Sequence, residues 1–253
     1  MIDTHCHVHD RKFDDDRDAV VARAREAGVT AMVTVGEDVE DSRQAIAIAQ
    51  QYGLVAAAGI HPHEAKNAPA DIAGELRGLL RLPRVVAIGE TGLDYYYDNS
   101  PRDRQAEVLR AQLRLARESG LPVVFHQRDA VADFCAILRD EWISGMRGVV
   151  HCFTGTRDEA RLFVDEFGLY LGIGGVLTFP NAYALREAAG AAGAEKLVLE
   201  TDCPYLAPVP VRGKRNEPSF VTHTAAKLSE VLAMPLDELV ATTDANAATL
   251  FTL

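Results

Sequence analysis

The chain has 253 residues, enough for one α/β barrel or two smaller domains and for a sizeable core. Its 48% hydrophobic and 25% charged residues are ordinary for a globular protein, and its net charge of −11 argues against broad electrostatic attachment to nucleic acid or an anionic membrane, which need a basic surface, while leaving room for an anionic substrate whose charge is met locally by metal ions. No apolar run would span a bilayer, charged Asp3 interrupts any signal-like start, and Cys6, Cys135, Cys152 and Cys203 are scattered like reduced thiols; these features together predict a cytoplasmic protein without a membrane partner.

The chain opens on an apolar run, 1–6, and a helical spacing follows over 15–27. The alternation then repeats. Short apolar runs at 29–35, 54–60, 84–89, 122–126, 148–152, 169–175 and 196–201 suit buried parallel strands. Helical stretches lie near 39–51, 70–81, 101–119, 129–139, 157–167 and 182–192, then from Pro218 to about 232 and over 236–249. Gly28, Gly53, Gly120 and Gly168 each stand just before a strand, where a helix C-terminus favours glycine. Only the loop from Cys203 to about Glu217 is long. Eight β-then-α units in this length predict a single-domain (β/α)8 TIM barrel over residues 1–253. A doubly wound open sheet is the rival, but it would favour a Gly-rich loop after the first strand, where this chain has HCHVHD.

The residues that end these strands carry the chemistry. His5 and His7 lie two apart, so a strand projects them together; alone, such a pair is also compatible with a hydrogen-bonded couple or a flexible terminus. Strand three ends in His61-Pro62-His63, strand four in Glu90, strand five in His126, strand six in His151 and strand eight in Asp202. Six of the eight histidines fall at strand ends, His9 and His223 being the exceptions. In a barrel those ends form one C-terminal rim, where active sites are built.

Imidazole and carboxylate donors without thiolates suit Zn²⁺, Mn²⁺, Fe²⁺ or Co²⁺, and Mg²⁺ with more water. Six donors exceed the needs of one open tetrahedral ion and suit two ions sharing a carboxylate. We assign His5, His7, Glu90 and Asp202 to one and Glu90, His126 and His151 to the other. None of the five lysines ends a strand, so Glu90 is the bridge. Asp202 can also accept the proton of an attacking water. His61 is a candidate for protonating a leaving oxygen and His63 for orienting substrate; the plain alternative is a hydrogen-bonded turn around Pro62. Arg128 either holds a phosphate or starts a helix in solvent. Arg212, Lys214 and Arg215 form the one basic cluster beside these ends and either meet a phosphate or stay solvated. Glu200 is expected behind a ligand, Asp94 as an orienting group or a loop cap, and Tyr95 and Tyr96 as base-stacking or packing residues.

With these residues in place the chain resembles the TatD family of metal-dependent deoxyribonucleases. The resemblance runs through DTHCH (3–7), GIHPH (59–63), AIGETGLDYY (87–96), LPVVFHQRDA (121–130), HCFTG (151–155), LETDCPYL (199–206) and RNEPSFV (215–221). It implies a TIM barrel, a divalent metal centre and hydrolysis of DNA phosphodiesters, often from an end. The family's ligand positions fall on His5, His7, Glu90, His126, His151 and Asp202. Two residues depart from the family pattern: Pro180 stands where a lysine is usual, which removes a possible phosphate contact, and Gln127 stands where serine is common.

The expectation is therefore a hydrolase with two divalent ions (Mg²⁺, Mn²⁺ or Zn²⁺), cleaving DNA at ends or in single strands, with no obligate protein partner. The acidic charge favours ends over long duplex tracts. The alternative is an ester or amide hydrolase of the same fold, such as a deacylase or lactonase, since polarised carbonyls and phosphoryls want similar ions.

Overall fold

The computed structural model describes residues 1–253. Its strands are β1 (Ile2–Cys6), β2 (Ala31–Val35), β3 (Val55–Ala58), β4 (Val85–Asp94), β5 (Val123–Arg128), β6 (Gly148–Val150), β7 (Tyr170–Ile173) and β8 (Leu197–Leu199). Its helices are α1 (Arg17–Glu26), α2 (Val39–Tyr52), α3 (Ile72–Leu79), α4 (Arg102–Ser119), α5 (Val131–Glu141), α6 (Arg157–Arg161), α7 (Tyr183–Ala192), α8 (Val221–Leu232) and α9 (Leu236–Phe251). Strand order follows the chain from β1 to β8 in one eight-stranded sheet, with a helix after every strand. This is the (β/α)8 barrel class that the alternation of apolar runs and helical spacings predicts.

Two compact units are described in turn: residues 1–34 with 152–253, and residues 35–151. In the first, β1 pairs with β2 and β7 with β8, both parallel. β8 runs alongside β1, where the Thr4 hydroxyl donates to Leu199 O at 3.0 Å. In the second, β3, β4, β5 and β6 pair successively, all parallel. The strands are apolar on both faces: Val123, Val124 and Phe125 of β5 and Leu197, Val198 and Leu199 of β8 are all buried. That is why they read as continuous apolar runs. No helix is long and apolar enough to cross a membrane.

Helix ends follow local chemistry. Asp38 accepts from Asp41 N–H at the start of α2, and Gly53 closes it in the left-handed region at φ 71°. A capping box opens α6, with Thr156 and Glu159 exchanging hydrogen bonds.

The largest departure from the sequence pattern is β4. The apolar run predicts a strand over 84–89, yet β4 continues through GETGLD to Asp94. A close approach explains Gly92. At φ 154° its Cα faces the main chain of β5, and a Cβ would collide with His126 O. Only glycine lets β4 run on beside the strand that carries His126.

α4 positions the same region. Val108, Leu109, Leu113 and Ala116 are buried at helical spacing, and Gln105 and Gln112 lie buried among them. Gln112 Oε1 accepts from Ile60 N–H at 2.9 Å, and its Nε2 donates to Ile60 O at 3.0 Å and to Thr91 Oγ1 at 2.6 Å. One side chain thus ties the turn before His61 to the strand of Glu90. Gln105 does the same for Asp94, whose N–H it accepts at 2.8 Å and whose carbonyl it donates to at 3.2 Å.

Candidate metal centre

In the unit of residues 1–34 and 152–253, His5 Nε2 and His7 Nε2 lie 3.3 Å apart. Asp202 Oδ1 is 3.9 Å from the first and 3.5 Å from the second. Main-chain bonds bring them together: Asp202 N–H donates to His5 O at 2.9 Å, and His7 N–H donates to Cys203 O at 2.7 Å. Asp202 adopts φ 56°, a left-handed conformation that aspartate tolerates better than most residues. β8 therefore stops at Leu199 rather than near 201, because the chain has begun to turn.

Asp3 is a supporting residue that the sequence reading passed over. It is fully buried and accepts from Thr201 N–H at 2.9 Å, from the Thr201 hydroxyl at 2.6 Å and from His5 N–H at 3.4 Å. Burial pushes its carboxyl up to about 8 against the Thr201 hydrogen bonds, with Glu200 adding to the rise. Its signal was an acid two residues before the first histidine, inside a predicted strand. Glu200 is also buried and accepts from Cys152 N–H at 2.5 Å, so it braces the turn that follows His151.

In the unit of residues 35–151, three imidazoles meet one oxygen. His151 Nε2 is 2.8 Å, His126 Nδ1 2.9 Å and His61 Nε2 3.3 Å from Glu90 Oε1. Asp94 stands behind them: its Oδ2 lies 2.9 Å from His126 Nε2 and 2.9 Å from His63 Nε2. Burial opposes ionisation of Asp94, but hydrogen bonds from His126, Tyr97 N–H and His63 outweigh it and hold the carboxyl well below the usual range. A carboxylate on Nε2 selects the His126 tautomer whose Nδ1 lone pair faces Glu90.

The rings at 61 and 63 take different parts. His61 Nδ1 accepts from His63 N–H at 3.1 Å, so its neutral ring carries the proton on Nε2, the atom facing Glu90. Burial pushes His61 down to about 4 despite Glu90. It is a neutral hydrogen-bond donor rather than an imidazolium acid.

The cationic residues divide. Arg128 is exposed and lies over the Tyr96 ring at 4.0 Å. Arg212 is exposed and lies over Phe179 at 4.0 Å, and Lys214 is exposed in the same loop. Arg215 is engaged: its guanidinium donates to Asp16 Oδ1 at 2.8 Å, to Asp16 Oδ2 at 2.6 Å and to Lys12 O at 2.6 Å. It anchors the loop after β8 to the segment before α1. Tyr95 is likewise committed, its hydroxyl on Asp133 at 2.8 Å and its face under Arg102 at 4.1 Å.

The donor chemistry fits divalent metal ions. It consists of imidazole nitrogens and carboxylate oxygens, buried or nearly so, with the free valence of His126 fixed from behind. Such donors on the strand ends of a (β/α)8 scaffold define a metal-dependent hydrolase. The chain belongs to the TatD family: the family described as TatD related DNase matches residues 2–252. It is 43% identical over 258 residues to the 3'-5' ssDNA/RNA exonuclease TatD of Cronobacter sakazakii, covering 99% of this chain and 97% of that one. It is 39% identical over 252 residues to the uncharacterized metal-dependent hydrolase YabD of Bacillus subtilis, covering 99% and 98%. The crystal structure of the TatD homolog YjjV of Escherichia coli K12 superposes with a TM-score of 0.94 at 33% identity, covering 100% of this chain and 98% of that one.

Proposed function

We propose that the protein is a phosphodiesterase acting on nucleic acid, cleaving DNA at ends or in single strands with two divalent ions. His5, His7, Glu90 and Asp202 would hold one ion and Glu90, His126 and His151 the other; Mg²⁺, Mn²⁺ and Zn²⁺ all suit these donors. When bound, the ions supply charge stabilisation at the phosphoryl group and acidify water. The observation that carries this reading is the convergence of His126 Nδ1 and His151 Nε2 on Glu90 Oε1 at 2.9 and 2.8 Å, a donor set that would suit a divalent cation.

The chain's own groups then divide the work. Asp202 receives the proton of the attacking water. His61, neutral with its proton on Nε2, donates a hydrogen bond where charge develops on the departing oxygen. His63, Arg128, Arg212 and Lys214 meet the substrate's phosphates. Arg215, already engaged with Asp16, supports the loop rather than the phosphate.

Two considerations support unpaired nucleic acid over duplex: the net charge of −11, which disfavours an extended phosphate footprint, and a relative named as a single-strand exonuclease. The test is cleavage of an end-labelled single-stranded DNA oligonucleotide by protein stripped with chelator and resupplied with each metal in turn. Metal-dependent release of nucleotides is expected, and the product ladder gives direction. No cleavage by a protein shown to hold metal would shift the reading to an ester or amide substrate.

A further inference from the structure

Two neighbouring tyrosines lie open beside the Glu90 donor set. Tyr96 is 58% and Tyr97 54% exposed. Their rings are perpendicular with centroids 4.8 Å apart, and Arg128 spans both, 4.0 Å from the Tyr96 centroid and 4.8 Å from that of Tyr97. The pair is open without being loose. Asp94 Oδ1 accepts from Tyr96 N–H at 3.0 Å and from Tyr97 N–H at 2.8 Å, and Asp94 is fully buried. The other oxygen of that carboxylate holds His126 and His63. One buried group therefore fixes both a candidate metal ligand and the turn that presents the rings. Tyr97 also meets His63 edge-on at 5.5 Å.

We infer that Tyr96, Tyr97 and Arg128 form a stacking subsite for an unpaired nucleobase of the strand being cut. This rests on the phosphodiesterase reading above and names the part of the substrate that it reads. The chemistry favours a base over other occupants. A planar, neutral π-system gains from stacking on tyrosine and guanidinium faces whatever its sequence. A guanidinium that stacks by its face keeps its N–H edge for a phosphate or a base carbonyl. A turn held by its main-chain hydrogen bonds loses little freedom when a base arrives. A base inside a duplex has both faces covered and cannot use the subsite, so the site selects unpaired ends and single strands. Of the tyrosines in GLDYYY, 96 and 97 serve, because Tyr95 is only half-exposed and its hydroxyl is held by Asp133 at 2.8 Å.

The test uses the full-length metal-loaded protein with two substrates: a short single-stranded oligonucleotide, and the same strand with abasic terminal residues. Tyr96→Ala and Tyr97→Ala should each raise KM for the base-bearing strand about tenfold or more. They should leave kcat near wild type and narrow the preference for that strand over the abasic one. Tyr96→Trp should restore it. Equal losses on both substrates, or none on either, would overturn the subsite. Fluorescence-anisotropy binding of a labelled oligothymidylate separates this from the parent reading. A protein that cuts neither strand but binds the oligonucleotide about tenfold more weakly as Tyr96→Ala would keep the subsite and lose the phosphodiesterase. A protein that cuts both but ignores the tyrosines would do the reverse.

Discussion

Three imidazoles crowd one oxygen of Glu90 at 2.8 to 3.3 Å in residues 35–151, and side chains aim them: Asp94 behind His126 and His63, and Gln112 across the turn that precedes His61. In the other unit His5, His7 and Asp202 keep looser separations of 3.3 to 3.9 Å, and the main chain does most of the aiming, through bonds between the end of β1 and the turn after β8. The first set is supported by individual polar groups, each removable by one substitution. The second is supported by strand register, so its members can be changed chemically while their positions persist.

That difference orders the expected effects. Asp202→Asn should leave the fold unchanged by circular dichroism, because the main-chain bond from Asp202 N–H to His5 O at 2.9 Å survives. It should cut turnover about 1,000-fold through loss of the proton acceptor; turnover within tenfold of wild type would remove Asp202 from the mechanism.

Asp94→Asn strikes the side-chain-supported set. It weakens the hold on Nε2 of His126 and should lower metal affinity about 10- to 100-fold, read by titrating metal into chelator-treated protein. Unaltered affinity would leave Asp94 as a loop cap alone.

Gln112→Leu should cost about 2 kcal/mol in urea unfolding, because the buried N–H and C=O of Ile60 lose their partner. A variant as stable as wild type would show that the GIHPH turn holds itself.

The smallest effect lies at the end of the loop after β8. Arg23 donates to Glu217 at 2.6 Å, and Arg215 pairs with Asp16. Burial raises the Glu217 carboxyl, but Arg23 and Ser219 outweigh it and the net shift is downward; Arg215 lowers Asp16 directly. Folded values below unfolded ones stabilise the fold at pH above about 4, and that contribution is lost as pH falls through the folded values. Glu217→Gln should thus flatten the acid side of a Tm-against-pH curve and cost about 0.5 kcal/mol at neutral pH, the scale of a solvent-screened pair. An unchanged acid limb would assign acid sensitivity elsewhere.

Much of this architecture was legible because the same event recurs: an apolar run, then a ligand-type residue, then a helix. A strand end is a boundary that a sequence shows, so His5, His7, His126, His151 and Asp202 could be named as candidates; Glu90, read as a strand end, lies inside β4, which runs on to Asp94. The supports could not be named this way. Gln105 and Gln112 sit seven apart on the buried stripe of α4, and only their partners show that they brace the site. Asp3 read only as a charge that interrupts a signal-like start. The length of β4 was masked by glycines whose purpose is contact with β5. The donor role of His61 depends on what its Nδ1 accepts, which no spacing encodes. Arg215 read as a free cation because its partner Asp16 lies 199 residues away.

The most direct measurement is metal stoichiometry by inductively coupled plasma mass spectrometry on wild type and Glu90→Gln after loading and desalting. If Glu90 is shared between two ions, wild type retains two per chain and the variant one or none. Two ions retained by the variant, or one by wild type, would contradict the shared-carboxylate centre on which the account rests.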